Sequence, residues 1–193
     1  MKIVFWLVLE PFKERCMFVW IGIDVDSQYG EIKDLAKNID REMSFTHSCF
    51  TLPMHISLKI SFKIAENEYE DIKNTIFSVF DGQKPFEIPV KAIEDEGNIC
   101  WIRMQENDCL NELSAQINQI LKKKHNISLH EYDLDFKFHT SLFLDDDCDK
   151  VHMAFERIKT AQPPTTLIAK RFVIGTSESG KLGTYKVVET VEI

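Results

Sequence analysis

Two short phrases in this chain carry the residue types of acid–base chemistry. The first is Met54-His55-Ile56-Ser57-Leu58-Lys59-Ile60-Ser61-Phe62-Lys63-Ile64. On a strand, His55, Ser57, Lys59, Ser61 and Lys63 share one face, and the apolar residues between them share the other. The second runs from Phe136 to Leu144 and places Lys137, His139, Ser141 and Phe143 on one face. Both reduce to His-x-Ser-Leu with the histidine and serine on the same side of a strand. One strand histidine is usually structural; two in matching register point to shared work. Imidazole titrates near neutrality, at a pKa of about 6.5 when unperturbed, so two of them can act together as base and acid. Such a pair suits in-line displacement at phosphorus, with the Ser57 and Ser141 hydroxyls holding the non-bridging oxygens. Lys59 and Phe143 occupy matching places further along the two strands. The lysine could meet an anionic substrate or simply be solvated, and the phenylalanine could stack on a base or be covered by a loop.

The elements that must position these residues follow from periodicity and breakers. Strands are expected from Ile3 to Leu9, from Met17 to Ile23, over the two histidine phrases, from Phe86 to Ile93, from Ile99 to Met104, from about Thr166 to Ile174 and from Gly183 to Val191. Apolar residues at helical spacing predict a helix through Ile32, Leu35, Ala36, Ile39 and Met43, capped by Asp26 or Ser27. Further helices are expected through Tyr69–Phe80, through Leu110–Leu121 behind a cap at Asn107 or Asp108, and through Val151–Ile158. The order strand, helix, histidine strand, helix, two strands occurs twice. This predicts an α+β chain: one bilobal domain over 1–193, two pseudo-symmetric lobes of antiparallel sheet with outer helices, and the histidine strands meeting across a central groove.

Composition narrows the classes. With 193 residues and 44% apolar content the chain can bury a substantial core. A net charge of −8 argues against long electrostatic tracking of nucleic acid, and leaves room for a small phosphorylated ligand. Five cysteines without a CxxC pair suit a reducing, cytoplasmic compartment. No apolar run reaches membrane length, and the N-terminal run lacks a signal-peptide cleavage site. His47, His125, His130 and His152 lack the paired pattern. The acidic turn Asp145-Asp146-Asp147 lacks the spacing of a calcium loop and reads as a solvated turn and helix cap. No metal-ligand cluster is evident.

His55-Ile56-Ser57-Leu58 and His139-Thr140-Ser141-Leu142 resemble the two H-x-[ST]-x signatures of the 2H phosphoesterase superfamily, most nearly its 2′-5′ RNA ligase and cyclic phosphodiesterase branch. The strand from Phe18, Cys100-Trp101-Ile102 and the C-terminal hairpin through Tyr185 resemble other parts of that family. The resemblance implies His55 and His139 as catalytic, Ser57 and Ser141 as phosphate-binding, and Lys59, Phe143 and Tyr185 as possible substrate contacts. It implies metal-independent, cofactor-free opening of a 2′,3′-cyclic phosphate on a nucleotide or RNA end, with no membrane or protein partner. The alternatives are a 3′-end RNA exonuclease of the same superfamily and a non-catalytic nucleotide- or RNA-binding module. Residues 1–15 fall outside the family pattern.

Overall fold

A computed structural model describes residues 15–134 and 136–193. The apolar run from Ile3 to Leu9, expected as a strand, lies outside them. The described chain forms β1 (Cys16–Asp24), α1 (Gly30–Met43), β2 (His55–Ala65), α2 (Tyr69–Phe80), β3 (Phe86–Asp95), β4 (Ile99–Met104), α3 (Asp108–His125), β5 (His139–Leu144), α4 (Cys148–Ile158), β6 (Thr166–Ala169), β7 (Arg171–Ser177) and β8 (Lys186–Glu192). None of its helices is long and apolar enough to cross a membrane.

Two antiparallel four-stranded sheets result, ordered β2-β1-β7-β8 and β5-β4-β3-β6. The expected two-lobed α+β fold is present, but the lobes are not the two halves of the chain. β3 and β4, the two strands that end the first repeat, pair with one another in the sheet of β5 and β6, and β7 returns to pair with β1. The expected strand from Thr166 to Ile174 is divided at Lys170 for this reason: β6 completes one sheet and β7 enters the other. The last strand starts at Lys186 rather than Gly183, which sits at φ +77° in the preceding connection.

The helices take their apolar stripes to the outer faces. α3 packs on β2 beside α2, and α4 packs on β3 and β4 beside α1. Ile117 and Leu121 of α3, and Val151 and Ala154 of α4, are fully buried there. Asn107 caps α3 through Leu110 N–H at 3.0 Å, and Asp147 caps α4 through Lys150 N–H at 3.2 Å. The cap expected for α1 is not formed: Asp26 opens a 3₁₀ turn, and its carboxylate accepts Met54 N–H at 2.9 Å. That bond fixes the chain just before His55. β2 and β5, each the edge strand of its sheet, run against one another across the interior groove.

Candidate active site

The two histidine strands share a distortion at the same place. Gly22 pairs with Ser57 and Ile21 with Lys59, so Leu58 is an extra residue in β2. Trp101 pairs with Ser141 and Cys100 with Phe143, so Leu142 is an extra residue in β5. A bulge at the leucine of each motif shifts the side-chain alternation by one. Lys59 and Phe143 therefore turn away from the groove, while Ile60 and Leu144 line it. This corrects the expectation that either could meet substrate. Lys59 is 1% exposed, and its ammonium is held in a buried ion pair by Asp133, from the segment before β5. Phe143 is fully buried and stacks on Phe45 at 5.2 Å. The Leu58 carbonyl at the bulge is answered by the Ser114 hydroxyl of α3, at 2.8 Å.

His55 and His139 open their strands in matching settings. His55 Nδ1 lies 2.8 Å from the Pro53 carbonyl, and His139 Nδ1 lies 2.6 Å from the Lys137 carbonyl. A carbonyl only accepts, so each Nδ1 carries the hydrogen and each neutral ring has its lone pair at Nε2. A tryptophan lies against each ring: Trp20 on His55 at 4.2 Å, and Trp101 on His139 at 4.1 Å. The Trp20 indole lies across Gly22 and Gly175, where an added Cβ would come within 2.6 Å of it. Only glycine leaves room for that floor. The indole N–H of Trp20 donates to Ser57 Oγ at 2.9 Å, which leaves the Ser57 proton to donate outward. Ser141 also lines the groove, and so does Tyr185, whose hydroxyl is bonded to Ser61.

The groove has a volume of about 270 Å³, and no Lys, Arg, Asp or Glu is among its described wall residues. Leu52, Met54, Ile60, Leu144 and Leu182 make much of its surface apolar. Burial lowers the pKa of His55, against the opposing effects of the Pro53 carbonyl and Asp24. Burial also lowers His139, to about 4, helped by the charges of His55 and Arg103. His55 is a wall residue of the groove, whereas on the second strand Ser141, and not His139, is.

The segment before β2 forms one wall, which no motif in the sequence marks. His47, set aside in the sequence for want of a partner, stands at the groove mouth with Ser48 and Cys49. Asp145 fixes this segment by accepting Thr46 N–H at 3.0 Å and the Lys150 ammonium at 2.9 Å, so it is more than a solvated turn residue. His125 serves structure, meeting Thr75 Oγ1 at 2.9 Å between α3 and α2. Among the described residues no group of three or more His, Cys, Asp or Glu side chains is arranged to hold a metal ion.

Edge strands that each open on a histidine and run against one another, each closing a four-stranded antiparallel sheet, define a two-lobed architecture. Residues 26–181 match the model of the 2′-5′ RNA ligase superfamily, and the chain belongs to that family, the 2H phosphoesterases. The fold is similar to that of Escherichia coli LigT in apo form, with a TM-score of 0.60 and 12% identity over 92% of this chain and 98% of that one. LigT complexed with 3′-AMP aligns with a TM-score of 0.61 and 13% identity, over 92% and 98% of the respective chains. TT0787 of Thermus thermophilus aligns with a TM-score of 0.54 and 12% identity, over 91% and 97%. No curated protein sequence matches the chain.

Proposed function

We propose that this protein is a cytoplasmic, metal-independent phosphodiesterase that opens a 2′,3′-cyclic phosphate on a nucleotide or a short RNA end. One observation carries the reading: both imidazoles are held by a carbonyl at Nδ1, with Nε2 left for chemistry, at the starts of two edge strands that run against one another. Water attacks phosphorus while giving its proton to one Nε2. The bond to the 2′- or 3′-oxygen breaks, and that oxygen takes a proton from the other imidazolium. Charge at the strand partners favours one division of roles. Asp24 faces His55 and Arg103 faces His139, so the carboxylate favours an imidazolium at His55 and the guanidinium disfavours one at His139. His139 is then the base and His55 the acid, and solvent returns the proton between turnovers. Ser57, oriented by Trp20, and Ser141 hold the non-bridging oxygens.

The uncharged, largely apolar walls favour a substrate with one phosphodiester charge and one base over a longer RNA strand, which counts against the exonuclease alternative. The test is hydrolysis of 2′,3′-cyclic AMP in excess EDTA, followed by phosphorus NMR. Turnover to a single nucleoside monophosphate is expected. Loss of turnover on chelation overturns the metal-free mechanism, and inertness toward all four cyclic nucleotides overturns the reaction.

A further inference from the structure

We propose that Arg103 is a catalytic phosphate-binding residue, whose guanidinium grips a non-bridging oxygen of the phosphodiester beside His139. The inference rests on the reaction just proposed for this site, and it names a residue that neither motif contains.

The two lobes place different charges at one position. In the first, Asp24 of β1 faces His55 of β2, and its carboxylate is answered by Arg171 of β7 at 3.3 Å and by Asp26 N–H at 2.9 Å. In the second, Arg103 of β4 faces His139 of β5, and its partner on the other side is Ala92 of β3; the Glu94 carboxylate further along β3 feels the Arg103 charge but is hydrogen-bonded to Lys91 and forms no ion pair with Arg103. The first lobe thus reads cation, anion, histidine across its strands. The second reads methyl, cation, histidine.

Arg103 is half-buried and forms no ion pair among the described residues; its Nη1 is buried without a hydrogen-bond partner. The nearby basic residues already have partners: Lys91 is bonded to Glu94 at 2.7 Å, and Lys137 lies 4.0 Å from Glu96. A permanently charged guanidinium left unpaired in a partly dry setting is unfavourable until an anion reaches it. Directly opposed residues on antiparallel strands stand about 5 Å apart, which puts the fork within reach of a phosphate held at the imidazole. The same charge helps to hold His139 neutral, as a base must be. Arg103 is not a wall residue of the groove itself; it lines a separate hollow on its own side of His139 with Lys91, Gln105, Glu106 and Asn111, where the substrate beyond the phosphate can continue.

Inorganic phosphate is the probe, titrated against the intact protein while the histidine ring resonances are followed by NMR. Binding by Arg103→Met should be at least about tenfold weaker, with Arg103→Lys between the two, since lysine keeps the charge and loses the fork. With 2′,3′-cyclic AMP, kcat should fall about 10²-fold in Arg103→Met with a smaller change in KM. Its acid limb in kcat/KM should move upward from pH 4, because a cation that helps to hold His139 down is gone, and Arg103→Lys should keep the limb in place while still weakening phosphate. Equal phosphate affinity in the wild type and Arg103→Met, or no phosphate binding by either, overturns the proposal. Phosphate binding that depends on Arg103 without turnover of any cyclic nucleotide upholds the anion site and overturns the proposed reaction.

Discussion

The two lobes are built to one plan and finished differently, and the differences fall at two positions. At the residue after the bulge, one lobe buries Lys59 against Asp133 and the other buries Phe143 against Phe45. At the strand partner of the histidine, one lobe has Asp24 and the other Arg103. The first difference is a matter of packing: either an apolar ring or a compensated ion pair can fill the space behind the strand. The second is electrostatic, and it breaks the equivalence of two histidines whose backbone settings are alike. A symmetric scaffold can therefore bias two like imidazoles in opposite directions, because the charge beside each comes from the neighbouring strand.

The sharpest way to break this comparison is at the histidines. His55→Ala and His139→Ala should each lose about 10²- to 10⁴-fold in kcat, measured with 2′,3′-cyclic AMP. If either variant keeps full activity, the pair does not share the work. The bulge positions should separate in stability. Lys59→Met leaves the Asp133 carboxylate buried alone and should cost about 3–5 kcal/mol in urea denaturation, whereas Phe143→Leu should cost less than about 1.5 kcal/mol. Adding Asp133→Leu to Lys59→Met should restore most of the loss; if it does not, the ion pair is not what fills that space.

At the serines, Ser57→Ala should lower kcat about 10²-fold. Trp20→Phe keeps the ring and loses only the N–H that orients Ser57, so its effect should be a fraction of that. The pH dependence is the finest probe. In the free protein both histidines titrate below their ordinary value, His139 at about 4. The kcat/KM profile should therefore be a bell with its acid limb near pH 4 and its optimum on the acid side of neutrality. Between pH 4 and about 6.5 the unfolded chain binds more protons than the folded one, so stability rises with pH across that window and is lost as pH falls. His139→Gln should flatten that part of the curve.

Much of the site was legible in the sequence because alternation is a local property. His55, Ser57, His139 and Ser141 were placed on strand faces by their spacing alone, and the helices by their apolar stripes and by caps such as Asn107. Lys59 and Phe143 were misplaced because alternation was carried through Leu58 and Leu142, where an extra residue enters the strand. Nothing local marks that residue; it exists only relative to Ile21 and Cys100 on the paired strands. No short motif joins Asp24, Arg103 or the Trp20 floor to the histidines, so their place beside the rings is not legible in the sequence.

By itself, the sequence determined that two like strands would each offer a histidine and a hydroxyl on one face, and that helices would cover the other. Tertiary structure decided that β3 and β7 would change lobes, that Lys59 and Phe143 would turn inward, and that Asp24 and Arg103 would stand beside the two histidines. The reason is one of range. Which way a side chain points is set by its own backbone and its immediate neighbours, whereas what it faces, and therefore where its proton rests, is set by residues far away in the chain.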